Sequence, residues 1–188
     1  MNDDHFPMHL FPSIDWFVEV LRHESQNVEI EIHANWLKQS PFSRFEIAGP
    51  NKRQKLIVPT IKSSRKTAGD VEIDYSENWQ KQHIRSLEAA YNNSPFFDFY
   101  RDELFAIYAR RPKKLADLCI DSIRWCSEKL NIETVYEVSN DYSTPIIINK
   151  NDQPSYYQVF EDKNDFQPNL SVLDALFNLG SGAGDIIR

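Results

Sequence analysis

At 188 residues, with 41% hydrophobic and 13% aromatic side chains, the chain is long enough to bury one core and too apolar to stay disordered. Its 2 Cys exclude a disulfide scaffold or a four-cysteine zinc site, and no apolar run reaches the roughly 20 residues of a membrane helix. A formal net charge of −7 opposes non-specific binding to nucleic acid or anionic membrane, and the acidic start Met1-Asn2-Asp3-Asp4 lacks the order of a secretory signal, so a soluble cytoplasmic protein is expected.

Ser13 to His23 reads as a short helix, because Ile14, Phe17, Val18 and Leu21 recur at helical spacing and Pro12 stands at its start. Val28 to Ile32 alternates strictly and predicts a strand with one buried face. Phe45/Ile47 and Leu56/Val58 flank Ala48 to Arg53, which predicts a hairpin with a loop of several residues. Ile61 to Gly69 has no periodicity and is expected to be a mobile loop.

Val71 to Tyr75 alternates again, predicting a strand. Ser76 is placed to cap a helix running from Glu77 to about Tyr91, stopped by Asn92-Asn93-Ser94-Pro95. Phe96 to Arg110 predicts a strongly aromatic helix, and Leu115 to Leu130 a third, with Cys119 and Cys126 on its apolar face. Seven residues apart on a helix, those thiols are ~10.5 Å apart at Cα, beyond disulfide reach, and read as core residues. Thr134 to Val138 predicts a strand, and Ile146 to Ile148 a short one. Ser171 caps a last helix, Val172 to Leu179, with Asp174 placed as in a capping box and Gly180 as the stop. Residues 181–188 are expected to fray. The whole reads as a single α/β domain over 1–188: a mixed β-sheet with an antiparallel hairpin, flanked by helices.

No histidine pair has ligand spacing, and none of the 5 Gly opens a strand-to-helix turn, so neither a metal site, a nucleotide loop nor any other cofactor site is expected. The charge is unevenly spread. Lys52, Arg53, Lys55, Lys62, Arg65 and Lys66 form a stretch without acids, and Arg110, Arg111, Lys113 and Lys114 a second cluster; each is either a solvated face or a receptor for an anion. His83 shares the apolar helix face with Trp79, Leu87 and Ala90. It reads as a hydrogen-bonded core histidine or as a general acid/base. Lys38 and Arg44 lie between a strand and the hairpin, where binding residues often sit. Arg44 is either a surface cation paired with Glu46 or Glu31, or a ligand contact.

Several of these segments together resemble the WbqC-like family. Ile73 to Phe97 carries its strand, the Trp79-x-Lys81-x-His83 helix, Ala90-Tyr91 and Ser94-Pro95-Phe96-Phe97. Leu10 to Phe17 is similar to its proline-aromatic motif, Trp36 to Arg44 to its Lys-Gln segment, Leu56 to Thr60 to its Val-Pro strand, and Leu170 to Gly180 to its C-terminal motif. The chain departs from the pattern in Ser43-Arg44, where Asn-Arg is usual. It also lacks an apolar first strand, and Asp141 to Gln153 lacks Asp-Arg and Gly-Gly signatures. The resemblance implies bacterial surface polysaccharide (O-antigen) biosynthesis, with transfer of a glycine or acyl group onto an activated sugar. On that reading His83 is the catalytic acid/base, and Lys38, Gln39, Arg44, Trp79 and Arg85 receive a small anionic substrate, a nucleotide-sugar or acyl donor. The alternative is a non-catalytic binding or assembly protein of the same fold, suggested by the aromatic helix.

Overall fold

The computed structural model describes residues 4–24, 26–37, 40–64 and 66–188. They form one compact α/β fold in which the two kinds of strand pairing fall in separate sheets. β1 (Asp4–Pro7), β2 (Asn27–Glu31) and β5 (Val135–Val138) make a parallel sheet in the order β1-β2-β5. β3 (Arg44–Gly49) and β4 (Lys52–Ile57) make the antiparallel hairpin. The helices are α1 (Ile14–Arg22), α2 (Trp79–Tyr91), α3 (Phe97–Ala109), α4 (Leu115–Lys129) and α5 (Val172–Leu179).

The parallel register sets Phe6 beside Ile30 and Val28 beside Tyr136, so these apolar side chains share one face. α1 crosses from β1 to β2 over that face, with Trp16 against Phe6 at 5.2 Å and against Tyr136 at 6.1 Å. The opposite face carries His5, Glu29 and Glu31, with His5 reaching Glu29 at 3.4 Å. Parallel sheets are usually apolar on both faces. Here the alternation seen in β2 is possible because the segment 139–170 covers the polar face: Ser143 N donates to Glu31 Oε2 at 2.8 Å and Ile146 N to His5 O at 2.8 Å.

That covering segment contains no helix or strand, so Ile146 to Ile148 is not the strand its composition predicts. It is strapped to the body by carboxylates. Asn149 Nδ2 donates to Glu19, Asn151 and Gln153 to Asp15 Oδ1, and Tyr156 and Gln158 to Asp174. The strap explains why α1 is buried almost all round, with Asp15 and Glu19 on its inner side as well as Ile14, Phe17 and Val20. Asp174 is no capping residue. Its carboxylate receives Tyr91 and Tyr156 hydroxyls at 2.7 Å each and Gln158 at 2.8 Å, while burial raises its pKa against the pull of those donors.

Other local expectations shift. The hairpin loop is two residues long, with Gly49 opposite Lys52. Val71 to Tyr75 makes only isolated bridges, Thr60 to Ile73 and Glu72 to Lys114, so it is extended without being a ladder strand. Asn78, not Ser76, caps α2 by accepting from Lys81 N at 3.3 Å. Within 61–69, Ala68 N and Gly69 N donate to Ala34 O and Ile32 O, which pins a segment expected to be mobile. A first strand does form at Asp4–Pro7 despite its polar sequence, because β2 supplies the ladder. The C-terminal residues pack as well: Ala183 and Ile187 are buried. Gly180 permits the preceding turn at φ +59, where a Cβ would meet the Phe96 ring at 2.7 Å.

The core joins α2, α3, α4 and α5 through aromatic edges, among them Tyr91–Phe177 at 4.9 Å and Phe97–Phe177 at 5.0 Å. Each fully buried phenylalanine contributes about 2–3 kcal/mol. Most of the aromatic helix therefore faces inward; Phe97, Tyr100 and Tyr108 are buried, leaving Phe96 and Phe99 on the surface. No helix is long and apolar enough to cross a membrane among the described residues.

Candidate functional site

The turn Leu10-Phe11-Pro12 brings three parts of the chain together. Phe11 holds a left-handed backbone at φ 40, a costly conformation for a bulky residue, fixed on all sides. Its N–H donates to Ser122 Oγ at 3.0 Å, and its ring packs on Phe45 at 5.0 Å and Tyr108 at 5.8 Å. From this turn the backbone clasps the hairpin side, Leu10 N to Pro41 O at 3.0 Å, and the chain before α5, Val172 N to Pro12 O at 2.9 Å. Ser171 N then donates to Glu46 O at 2.8 Å and closes the ring of contacts. A cleft of about 530 Å³ opens between these segments, within the usual range for a small-molecule site.

Four cations line it, Arg44, Arg53, Lys55 and Lys150, against two carboxylates, Asp15 and Glu46. Glu46 is already committed: Arg53 reaches it at 2.9 Å and Lys55 at 3.4 Å. Partial burial would raise its pKa, but those two cations outweigh that and hold it below the ordinary carboxylate value. Arg53 also donates to Pro168 O. Arg44 is different. Its Nε is buried with no hydrogen-bond partner among the described residues. A guanidinium carries five donors in a planar fork whose geometry matches phosphate or carboxylate oxygens.

His9 also lines the cleft, half-buried, and surrounding protein lowers its pKa to about 4. Its imidazole is neutral at pH 7 and carries one acceptor nitrogen. The acidic wall is equally built. Asp15 is 1% exposed; its Oδ1 is taken by the strap, and its Oδ2 has no partner among the described residues. Among the described residues, no three His, Cys, Asp or Glu side chains are grouped to hold a metal ion.

The residues singled out from the sequence are divided by the structure. Lys38 and Gln39 lie outside the described residues. Arg44 lines the cleft. Trp79 and His83 do not; they pack on each other at 5.1 Å inside the core. His83 is 3% exposed, with Nε2 donating to Ile57 O at 3.1 Å and Nδ1 left to accept from Tyr108 Oη at 3.3 Å. Burial lowers its pKa to about 4, opposed by the bond to Ile57. Arg85 is on the exposed side of α2 and away from the cleft. From the basic stretch Arg53 and Lys55 reach the cleft. The second cluster is occupied elsewhere: Arg110 with Asp121 at 3.0 Å, Arg111 on the Tyr75 ring at 4.6 Å, Lys113 with Glu72 at 3.3 Å and Lys114 on Asp70 O at 2.9 Å.

Sequence reasoning missed His9, Asp15, Lys150 and Asn169. The first two flank the Phe11-Pro12 turn, but the contacts that bury Asp15 come from a much later segment and leave no signal in the sequence. Nothing local marks Lys150 or Asn169, which arrive with the strap.

Compared with known protein families, the sequence matches the profile of the WbqC-like protein family over residues 8–146. Curated proteins and solved structures gave no match. The matched region contains His9, Asp15, the hairpin and the His83 helix, while Lys150 and Asn169 lie beyond it.

Proposed function

The chain belongs to the WbqC-like protein family; from the geometry of its cleft we propose that it binds a small anionic substrate there, and from the family resemblance that it acts as a transferase in bacterial surface-polysaccharide synthesis. One observation carries the anion: the buried, unpartnered Arg44 Nε in a cleft where four cations face two carboxylates. Burying one N–H of a guanidinium without a partner is costly, and a phosphate or carboxylate held by the rest of the planar fork offsets that cost. An activated sugar or an acyl donor brings such a group.

On this reading Arg44 binds and orients the anion, Lys150 adds charge at the rim, and neutral His9 accepts a hydrogen bond from the substrate. His83 takes no chemical step, because both ring nitrogens are engaged inside the core. The strap limits water on the Asp15 side of the cleft.

Calorimetric titration with nucleotide-sugars and acyl donors, followed by mass spectrometry of the mixtures, tests this. We expect at least one to bind, and Arg44→Ala to weaken it about tenfold to a hundredfold, the ~1.5–3 kcal/mol of a charged hydrogen bond. Binding unaffected by Arg44→Ala in a folded variant overturns the site. Binding without any transferred product favours the non-catalytic alternative.

A further inference from the structure

The strap is fastened at its ends in one way and along its middle in another. Ile146 N donates to His5 O at 2.8 Å, Leu170 O accepts from Ile14 N at 3.3 Å, and Ser171 N donates to Glu46 O at 2.8 Å. Between these two backbone clamps, from residue 147 to residue 169, no backbone-to-backbone hydrogen bond reaches the body among the described residues. Each tie there involves a side chain. Asn149 holds Glu19, Asn151 and Gln153 hold Asp15, Tyr156 and Gln158 hold Asp174, Asn164 Nδ2 donates to Gly49 O, and Arg53 donates to Pro168 O. Single ties of this kind add little each, and segments held by them open more readily than helices or ladders.

The same residues also hold one another. Gln158 Nε2 donates to Gln167 O at 3.0 Å, and Gln158 Oε1 accepts from Gln167 N at 2.9 Å. Asn169 N donates to Gln153 Oε1 at 2.8 Å, and the Tyr156 ring packs on Phe166 at 5.2 Å. A loop with fixed ends, packed by its own side chains, moves as one piece. Asn169, beside the second clamp, is left-handed at φ 52, a region asparagine enters more easily than most residues.

We infer that residues 147–169 form a hinged lid, opening between the two clamps, and that an anion in the cleft holds it shut. Lys150 is set between the tied residues Asn149 and Asn151 and lines the cleft from the lid, whereas Arg44 lines it from the hairpin. An anion between them meets both cations only while the lid is closed, so its binding favours the closed form. The lid stands on its own hydrogen bonds; its response to a ligand rests on the anion site at Arg44 proposed above.

Amide exchange of the full chain, followed residue by residue by nuclear magnetic resonance, tests the lid. Asn151 N donates to Asp15 Oδ1 at 3.2 Å and reports one end, while Tyr156→Phe and Asn164→Ala each cut a tie farther along. Asn151 should exchange faster than the amides of α4, and each substitution should speed it about fivefold more, the net effect of one lost hydrogen bond. Ser171 and α4 should not change. Exchange at Asn151 that is as slow as in α4, or that ignores both substitutions, shows no common opening and overturns the lid. Equal acceleration at Ser171 overturns it too, because opening is then not confined between the clamps.

For the ligand, tryptic cleavage after Lys163, which needs the lid drawn out into the protease, is compared in sulfate and in chloride of equal ionic strength. Sulfate at ten times its dissociation constant should slow cleavage about tenfold. Lys150→Ala, at ten times its own dissociation constant, should lose most of that protection. Sulfate that binds without slowing cleavage, or protection that survives Lys150→Ala, overturns closure by the anion. If sulfate does not bind, the Arg44 site and closure by the anion fail together, while the exchange results still decide the lid.

Discussion

His9 and His83 are both kept neutral at pH 7 by the protein around them, one beside the cleft and one inside the core. A histidine whose folded pKa of about 4 lies below its unfolded value of about 6.5 binds its proton more readily in the unfolded chain. Its contribution to stability is thus complete above pH 6.5 and lost as the pH falls from there to 4. For His83 that loss is on the order of 3 kcal/mol. Urea unfolding of His83→Gln should show lower stability at pH 7, by about 1–3 kcal/mol from the broken hydrogen bonds, and a flatter decline between pH 6.5 and 4. Parallel pH profiles for wild type and variant would contradict this account. The helical spacing of His83 with Trp79, Leu87 and Ala90 made its burial readable, but not the partners that satisfy it, Ile57 O and Tyr108 Oη. His9 carried no such pattern, since it belongs to no helix or strand and gains its surroundings from segments far along the chain.

The hairpin and the strap mark the limits of pattern reading for whole elements. Alternation located β3 and β4, but loop length depends on one backbone angle that sequence spacing does not show. Neither Pro50 nor Asn51 has a positive φ, whereas Lys52 does, at 71°. This is the arrangement of a tight turn followed by a left-handed residue, a place glycine normally takes. Lys52→Gly should therefore stabilise the protein, by up to about 1 kcal/mol, the cost of a left-handed side-chain-bearing residue. A rise in the urea midpoint at unchanged slope would show it, and a fall would mean that the lysine side chain matters more than its backbone. The strap has no periodicity at all, and a loop is a fair reading of its composition. Its order comes from carboxylates far away in sequence: Ser143 finds Glu31 at a separation of 112 residues and Gln153 finds Asp15 at 138. Val71 to Tyr75 fails in the opposite way, for it has the alternation of a strand and no neighbour long enough to pair with it.

For the molecule as a whole, composition was a sound guide to class and a poor one to the site. The net charge of −7 hides a cleft in which cations outnumber carboxylates. Arg44 lines it with Arg53 and Lys55 of the basic stretch, whereas Trp79, His83 and Arg85 do not, because a cleft assembled from residues 9–15, 41–55, 148–151 and 168–171 follows from tertiary contacts, not from any one motif. The two cysteines behave as their helical spacing implied. Both are free and fully buried, Cys119 Sγ donates to Phe42 O at 3.3 Å, and burial raises both thiols far above their usual pKa. Thiol-specific reagents should therefore leave the native protein untouched and modify both cysteines on unfolding, so that labelling follows the same midpoint as circular dichroism. Fast labelling of either thiol in buffer would show that α4 opens independently.

The clasp around the cleft, in which Val172 N meets Pro12 O and Ser13 pairs with Ser171, also has a meaning in time. On the ribosome the chain emerges from its N-terminal end, and contacts between distant residues wait for the later partner. β1 and β2 are made early, yet β2 keeps an open edge until β5 appears, and the acid wall of the cleft has no brace until Gln153 and Asn169 follow. α5 then seats against the first turn of α1 and finishes the structure. A nascent chain halted short of residue 171 would thus hold most of the hydrophobic core and every charged residue of the cleft, but not the helix that clasps it, which makes ligand binding a report on the docking of α5.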